Sequence, residues 1–221
     1  MKLLYRILSL FITILLPIVL ILTSVRFLLT HAFVQIEYRT PAFPSDPYGF
    51  TRADRLNWSQ IAVDYLINDK SISFLSDLRF TDGRVVYNDA ELMHMVDVKN
   101  TVQIALYVWY ISLVFILFLG VWAWRGKWWK DYRLGLARGG MLTLILVGLI
   151  ILTVLFGFGF FFIAFHEVLF APGTWTFEYS DTLIRLFPER FWRDTFLILG
   201  FISLLGGLGF AFGFRTKKLK P

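Results

Sequence analysis

Four stretches of the chain are too long and too apolar to be anything but membrane spans. They are residues 7–29, 101–123, 141–165 and 196–214. Each comes close to the ~20 residues that a helix needs to cross ~30 Å of hydrocarbon. A surface helix of a soluble domain keeps a polar face, and these stretches have none. In lipid every backbone amide must find its partner within the chain, so isolated apolar runs of this length are helices. Composition agrees: 57% of the 221 residues are hydrophobic, 19% are aromatic, and the mean hydropathy is +0.64. That leaves too little polar surface to cover a soluble domain of this size. The expected fold is an all-α membrane protein. It is a four-helix transmembrane bundle with a small extracytoplasmic domain built from the first and third loops.

The first run has a basic start, Lys2 and Arg6, like a signal peptide. Its apolar stretch is long and no small-x-small cleavage site follows, so it reads as a retained span. Pro17 is placed to kink it. Arg26 near its far end can snorkel to headgroups. The fourth run is rich in glycine, and Gly209 and Gly213 have the GxxxG spacing of a close helix–helix contact.

Charge gives the chain a direction. Lys2, Arg6, Arg125, Lys127, Lys130, Arg133, Arg138, Arg215, Lys217, Lys218 and Lys220 fall on one side, with Asp131 as the opposing acid. Nearly all other acids lie in the segments between the first and second runs and between the third and fourth. Positive charge stays inside, so both termini and residues 124–140 are expected in the cytoplasm. Trp122, Trp124, Trp128 and Trp129 fit an aromatic belt at that inner interface. The order is a cytoplasmic start and first span over residues 1–29, then an extracytoplasmic loop over 30–100. A second span covers 101–123, a cytoplasmic loop 124–140 and a third span 141–165. A second extracytoplasmic loop covers 166–195, the fourth span 196–214, and a basic cytoplasmic tail 215–221. The formal charge of +6 then reflects topology and anionic lipid, and nucleic acid is not an expected partner.

The first outer segment opens with turn residues Pro41, Pro44, Pro47 and Gly49. Thr51 followed by Asp54 reads as a helix start. Trp58, Ile61, Ala62, Tyr65 and Leu66 then repeat on one helical stripe. That helix packs on the rest of the segment or lies in the interface. Asp82-Gly83 between residues 78–81 and 84–87 predicts a short hairpin. Asn88 caps a helix that starts at Asp89 and runs straight into the second span. In the second outer segment Pro172-Gly173 makes a turn, residues 181–187 are amphipathic, and Pro188 opens the helix of the fourth span.

Candidate chemistry is scarce. With no cysteine there is no thiolate nucleophile, disulfide or thiolate metal site. There is no G-x-S-x-G elbow, no glycine-rich phosphate loop and no H-E-x-x-H, so no cofactor and no metal is expected. The three histidines, His31, His94 and His166, all fall on the outer side. His94 leads into the second span and His166 ends the third, so topology lets them face each other. Glu91 and Asp97 lie three residues either side of His94, on its helix face. Glu167 follows His166. A carboxylate beside an imidazole can fix its tautomer and stabilise its cation, the logic of an acid–base pair. The bland reading of each histidine is an amphipathic side chain with one wet end. Glu91-x-x-His94 is half of a helical di-metal motif whose second copy is missing.

Two stretches carry more specific information. Residues 91–99 read ELMHMVDVK, and residues 165–192 read FHEVLFAPGTWTFEYSDTLIRLFPERFW. With Tyr48–Phe50 and the order of the spans, they resemble a family of bacterial four-span membrane proteins that includes the lipoprotein intramolecular transacylase. The resemblance implies an enzyme of the bacterial cytoplasmic membrane with its active site at the outer face. Its substrates are lipoproteins whose N-terminal cysteine bears a diacylglyceryl group, and its other partner is membrane lipid. The reaction moves the sn-2 acyl chain to the cysteine's α-amine and leaves an N-acyl lyso-lipoprotein. The resemblance puts the catalysis on His94 and His166, without a covalent enzyme intermediate. His94 is expected as base and His166 as acid or oxyanion partner, although spacing does not fix the order. Glu91, Asp97, Glu167, Trp175 and Asp181 are supporting candidates. Packing and turn-capping are the plainer roles for Trp175 and Asp181. Two other classes compete with this reading: a non-catalytic membrane protein whose ectodomain binds a partner, and a metal-dependent hydrolase using His31, His94 and His166. No sequence feature sets an oligomeric state.

Overall fold

A computed structural model describes residues 1–215 of the chain. It is built of α1 (Lys2–Leu28), α2 (His31–Glu37), α3 (Arg52–Ile67), α4 (Ser73–Ser76), α5 (Asp89–Arg125), α6 (Trp129–Leu169), α7 (Thr182–Leu186) and α8 (Glu189–Gly213). Four of these helices, α1, α5, α6 and α8, are long and apolar enough to cross a membrane. Large side chains on them such as Ile111, Phe118 and Phe156 are exposed, and an apolar surface of that kind is covered by lipid. The basic tail expected over residues 215–221 lies, but for Arg215, outside the described residues.

The helices outrun the apolar runs. α5 begins at Asp89, well before residue 101, and α6 begins at Trp129, before residue 141. The connection expected over 124–140 is therefore a tight turn. Gly126 donates its amide to the Trp122 carbonyl at 2.7 Å, and Lys127 takes a left-handed φ of 60°. Residues 129–140 are helical because they have a face to bury: Tyr132 and Leu136 join the core. α1 remains one helix with Pro17 inside it. α6 leaves helical geometry at Gly157, a break that the unbroken apolar run does not announce.

The chain forms two compact units. The first comprises Met1–Arg26, Leu106–Leu155 and the described residues from Leu197 to Arg215. Its core joins Ile12, Leu16 and Val19 of α1 to Ile116, Leu119 and Ala123 of α5 and to Tyr132 and Leu136 of α6. Polar glue within the bundle includes Ser24 with Ser203 at 2.9 Å and Trp109 Nε1 donating to Thr23 at 3.0 Å. Trp128 is 2% exposed. It stacks on Tyr5 and meets Trp122 and Tyr132 edge-on, so it is a core residue and not part of an interfacial belt.

The expected glycine contact exists but not at the expected glycines. Gly209 and Gly213 have nothing within 4 Å of where a Cβ would stand. The close approach is Gly140 of α6 against Gly207 and Ala211 of α8, where such a Cβ would meet Ala211 N at 2.5 Å and Gly207 O at 2.6 Å. The GxxxG pair therefore faces away, and helix phase, which spacing alone does not give, decides which glycines are used.

The second unit comprises Phe27–Ala105 and Phe156–Phe196. Thr51 and Asp54 form a full capping box at the start of α3. The stripe on α3 packs inward: Ala62 and Tyr65 are in the core, with Trp58, Ile61 and Leu66 against it. The hairpin is present as a single antiparallel bridge, Arg79 with Val85, turned by Gly83 at φ 86°.

Glu37, on α2, is wholly buried, with the Asp194 carboxylate beside it. Burial first, then the charge of Asp194, pushes its carboxyl up to about 7, against the pull of Arg190. The folded chain thus keeps a proton that the unfolded chain releases near ~4.3. Stability from this group is complete below the unfolded value and is lost as pH rises towards and through the folded one, then levels off. Burial holds His94 and His166 down, and those rings pull stability the other way over part of the same range. The contribution of Glu37 is therefore read as a difference: in detergent, the midpoint of the native chain minus that of Glu37→Gln should fall between about pH 5 and about pH 8. A difference that does not change with pH would show that Glu37 keeps no extra proton in the folded chain.

Candidate active site

His94 and His166 lie in the second unit, 8% exposed each. Their rings are nearly parallel, with centroids 6.3 Å apart and planes 23° from each other. Local structure sets both. Asn88 and Glu91 cap α5 reciprocally: Asn88 N donates to Glu91 Oε2 at 2.8 Å, and Glu91 N to Asn88 Oδ1 at 3.0 Å. That fixes the first turn of α5, Met95 is buried in the core, and His94 is carried beside it. His166 stands near the end of α6, where its Nδ1 contacts the Phe162 carbonyl at 2.8 Å. A carbonyl only accepts, so Nδ1 carries the hydrogen and the neutral ring has its lone pair on Nε2. His94 Nδ1 is buried without a partner.

Aromatic rings wall the pair. Phe170 reaches both imidazoles, at 4.9 Å from His94 and 5.6 Å from His166. Phe177 lies 5.4 Å from His94. Phe162 and Trp175 lie 4.1 and 4.9 Å from His166. Phe170 and Phe177 were not singled out in the sequence, although both stand in the aromatic-rich stretch that follows the third span. The turn after α6 makes the enclosure: Thr174 N donates to Ala171 O at 3.3 Å, and Gly173 takes a φ of 82°. The chain then returns Trp175 and Phe177 to the histidines.

The supporting candidates separate into groups. Glu91 does not reach an imidazole; it completes the cap of α5 and accepts from Leu183 N of α7 at 2.7 Å. Asp181 accepts from Glu178 N at 2.9 Å and from Asn88 Nδ2 at 3.1 Å, tying the returning segment to the start of α5. Thr182 donates to Val86 O, and Tyr38 to Leu186 O, which hold α7 further. Arg185 pairs with the buried Asp46 at 2.9 Å and lies 3.4 Å over the Phe50 ring, which gives the Tyr48–Phe50 stretch its place. Trp175 packs on His166 itself. Among the described residues Asp97 and Glu167 form no hydrogen bond or ion pair with either ring. His31 stands apart and pairs with Asp64 at 2.7 Å. No group of three or more His, Asp or Glu is gathered to hold a metal among the described residues.

Glu91→Ala would orphan the amides of Asn88 and Leu183 at about 1–3 kcal/mol each. We expect a clear drop in the thermal unfolding midpoint, with Glu91→Gln keeping most of the stability. Equal midpoints for Glu91→Ala and the native chain would show that this tether is slack.

Four membrane helices carry these two buried imidazoles, and comparison with known proteins gives the chain its class, an integral membrane transacylase. A sequence model of the lipoprotein intramolecular transacylase family matches residues 10–192. The chain belongs to that family. An uncharacterised protein of Aquifex aeolicus (strain VF5) is 28% identical over 210 residues, covering 92% of this chain and 91% of its own. The crystal form of the membrane-integral lipoprotein intramolecular transacylase of Bacillus cereus matches with a TM-score of 0.78 at 19% identity, covering 94% of this chain and 93% of that one. A histidine-to-alanine variant of the same Bacillus cereus protein matches with a TM-score of 0.57 at 20% identity, over 96% and 92% of the two chains.

Proposed function

We propose that this chain moves the sn-2 acyl chain of a diacylglyceryl-cysteine lipoprotein to the cysteine's own α-amine, with His94 and His166 as the proton-transfer pair. The observation that carries this reading is the pair itself: two buried imidazoles 6.3 Å apart, on a chain of the transacylase family. The chemistry needs such a pair. An α-amine has a reference pKa of ~7.7–8.0 and must be neutral to attack. The amine nitrogen bonds to the ester carbon, and the excess proton on nitrogen must leave. The bond from that carbon to the sn-2 oxygen breaks, and the glyceryl alkoxide must gain a proton. No water is consumed and no atom is lost. Each transfer by a placed imidazole is worth ~10²–10⁴ in rate. Holding amine and ester on one molecule supplies much of the rest.

The contact at the Phe162 carbonyl favours the order opposite to the sequence expectation. With Nδ1 occupied as a donor, His166 Nε2 is the lone pair that takes the amine's proton. The proton that His166 takes is the one the leaving oxygen needs; it is delivered directly or through His94, whose Nδ1 has no partner, so both rings end the cycle neutral. The charge pattern supports an orientation with the turn between α5 and α6 in the cytoplasm. The histidines then stand at the outer face, where acyl chains enter from lipid and the peptide remains in water.

The test is mass spectrometry of a lipoprotein's N-terminal peptide from a bacterial host lacking its own N-acylation. Co-expression should yield an acylated α-amine and a glyceryl group one acyl chain short. A free amine on an intact diacylglyceryl group would overturn the reading.

A further inference from the structure

Trp175 carries a polar group that the imidazole pair does not use. Its Nε1–H is buried and has no hydrogen-bond partner, while its ring leans on His166 at 4.9 Å and 36°. A buried donor left unmade costs about 1–3 kcal/mol, and native chains keep few of them. The other such indole among the described residues, Trp128, sits at T-shaped angles to Trp122 and Tyr132 in a packed core. Trp175 instead stands beside His166, one ring of the proposed proton-transfer pair. Indole nitrogen only donates. It can neither take the amine's proton nor give up its own at neutral pH. It suits an acceptor that arrives with the substrate. The reacting ester brings one to the reacting carbon: the carbonyl oxygen, which becomes an oxyanion on attack.

We propose that Trp175 is a catalytic residue whose Nε1–H donates to that carbonyl oxygen and to the oxyanion it becomes. The assignment rests on the acyl-transfer reading of His94 and His166. As the C–N bond forms, the carbonyl π pair moves onto oxygen, and Trp175 stabilises it without transferring its hydrogen. The pair returns as the bond to the glyceryl oxygen breaks, and that oxygen takes its proton from an imidazole. One fixed donor at such an oxyanion is worth about 10²–10³ in kcat.

The experiment uses the purified full chain and a synthetic diacylglyceryl-cysteine peptide, with N-acyl product measured by mass spectrometry. Trp175→Phe keeps a ring against His166. Benzothienylalanine at the same position keeps the indole shape and replaces the N–H by sulfur. Both should lose about 100-fold in kcat, with KM and the thermal midpoint close to native. Turnover of the benzothienylalanine protein within about threefold of native overturns the assignment, as does a loss confined to KM. A native chain that forms no product overturns the acyl-transfer reading itself, so the two failures are distinct.

Discussion

His166→Phe should lower formation of the N-acyl product by about 10²–10⁴-fold while the protein stays folded. Phenylalanine keeps a ring in the space between Phe162 and Trp175, 4.1 and 4.9 Å away. It removes Nε2, the proposed base, and the donation from Nδ1 to Phe162 O. The latter costs about 0.5–1.5 kcal/mol of stability. His94→Phe should cost as much activity and less stability, because His94 Nδ1 makes no hydrogen bond to lose. If the two imidazoles act as one unit, the double variant falls little further than either single one. Glu167→Gln, which removes a carboxylate that hydrogen-bonds neither ring, should leave turnover close to native. Product formation from the synthetic lipopeptide measures all of these. Substantial turnover by either histidine variant would sink the two-histidine mechanism.

Much of the fold was legible because lipid is a demanding solvent. Backbone groups in hydrocarbon leave helix as the outcome for an isolated apolar run, so the existence and number of the long helices follow from hydropathy. Their ends do not. The amphipathic start of α6 has the composition of a loop and is helical because Tyr132 and Leu136 find a core to enter, a tertiary fact. Caps written in adjacent residues were readable: Thr51 with Asp54, and Asn88 before Asp89.

The site was legible in part for similar reasons. Topology could bring His94 and His166 to one side of the membrane, and the structure brings their rings to 6.3 Å. The carboxylates were harder. Helical spacing put Glu91 on the face of His94, yet its oxygens are taken by backbone amides at Asn88 and Leu183. The Leu183 partner is 92 residues away, a distance at which no local pattern speaks. The walls contributed by Phe170 and Phe177 were invisible for the same reason. A phenylalanine in an aromatic-rich chain carries no mark of what it will face until the turn at Gly173 folds the segment back.

Gly140→Ala should destabilise the helix bundle, and Gly209→Ala should not, although Gly209 belongs to the recognisable motif. At Gly140 the added methyl would stand 2.5 Å from Ala211 N and 2.6 Å from Gly207 O. Both atoms are backbone of α8, so the strain cannot be relieved by turning a side chain and α6 and α8 must part. Overpacking of this kind costs about 1–3 kcal/mol. At Gly209 nothing lies within 4 Å, and alanine is favoured over glycine in a helix by about 0.8–1 kcal/mol. The propensity gain is common to both helical positions, so the two chemically identical substitutions should differ by the overpacking cost, about 1–3 kcal/mol. Thermal unfolding midpoints in one detergent would show it, with Gly140→Ala below native and Gly209→Ala at or above it. If Gly209→Ala proved the more damaging, α8 would present its other face to its neighbours and the packing of α6 on α8 described here would be wrong.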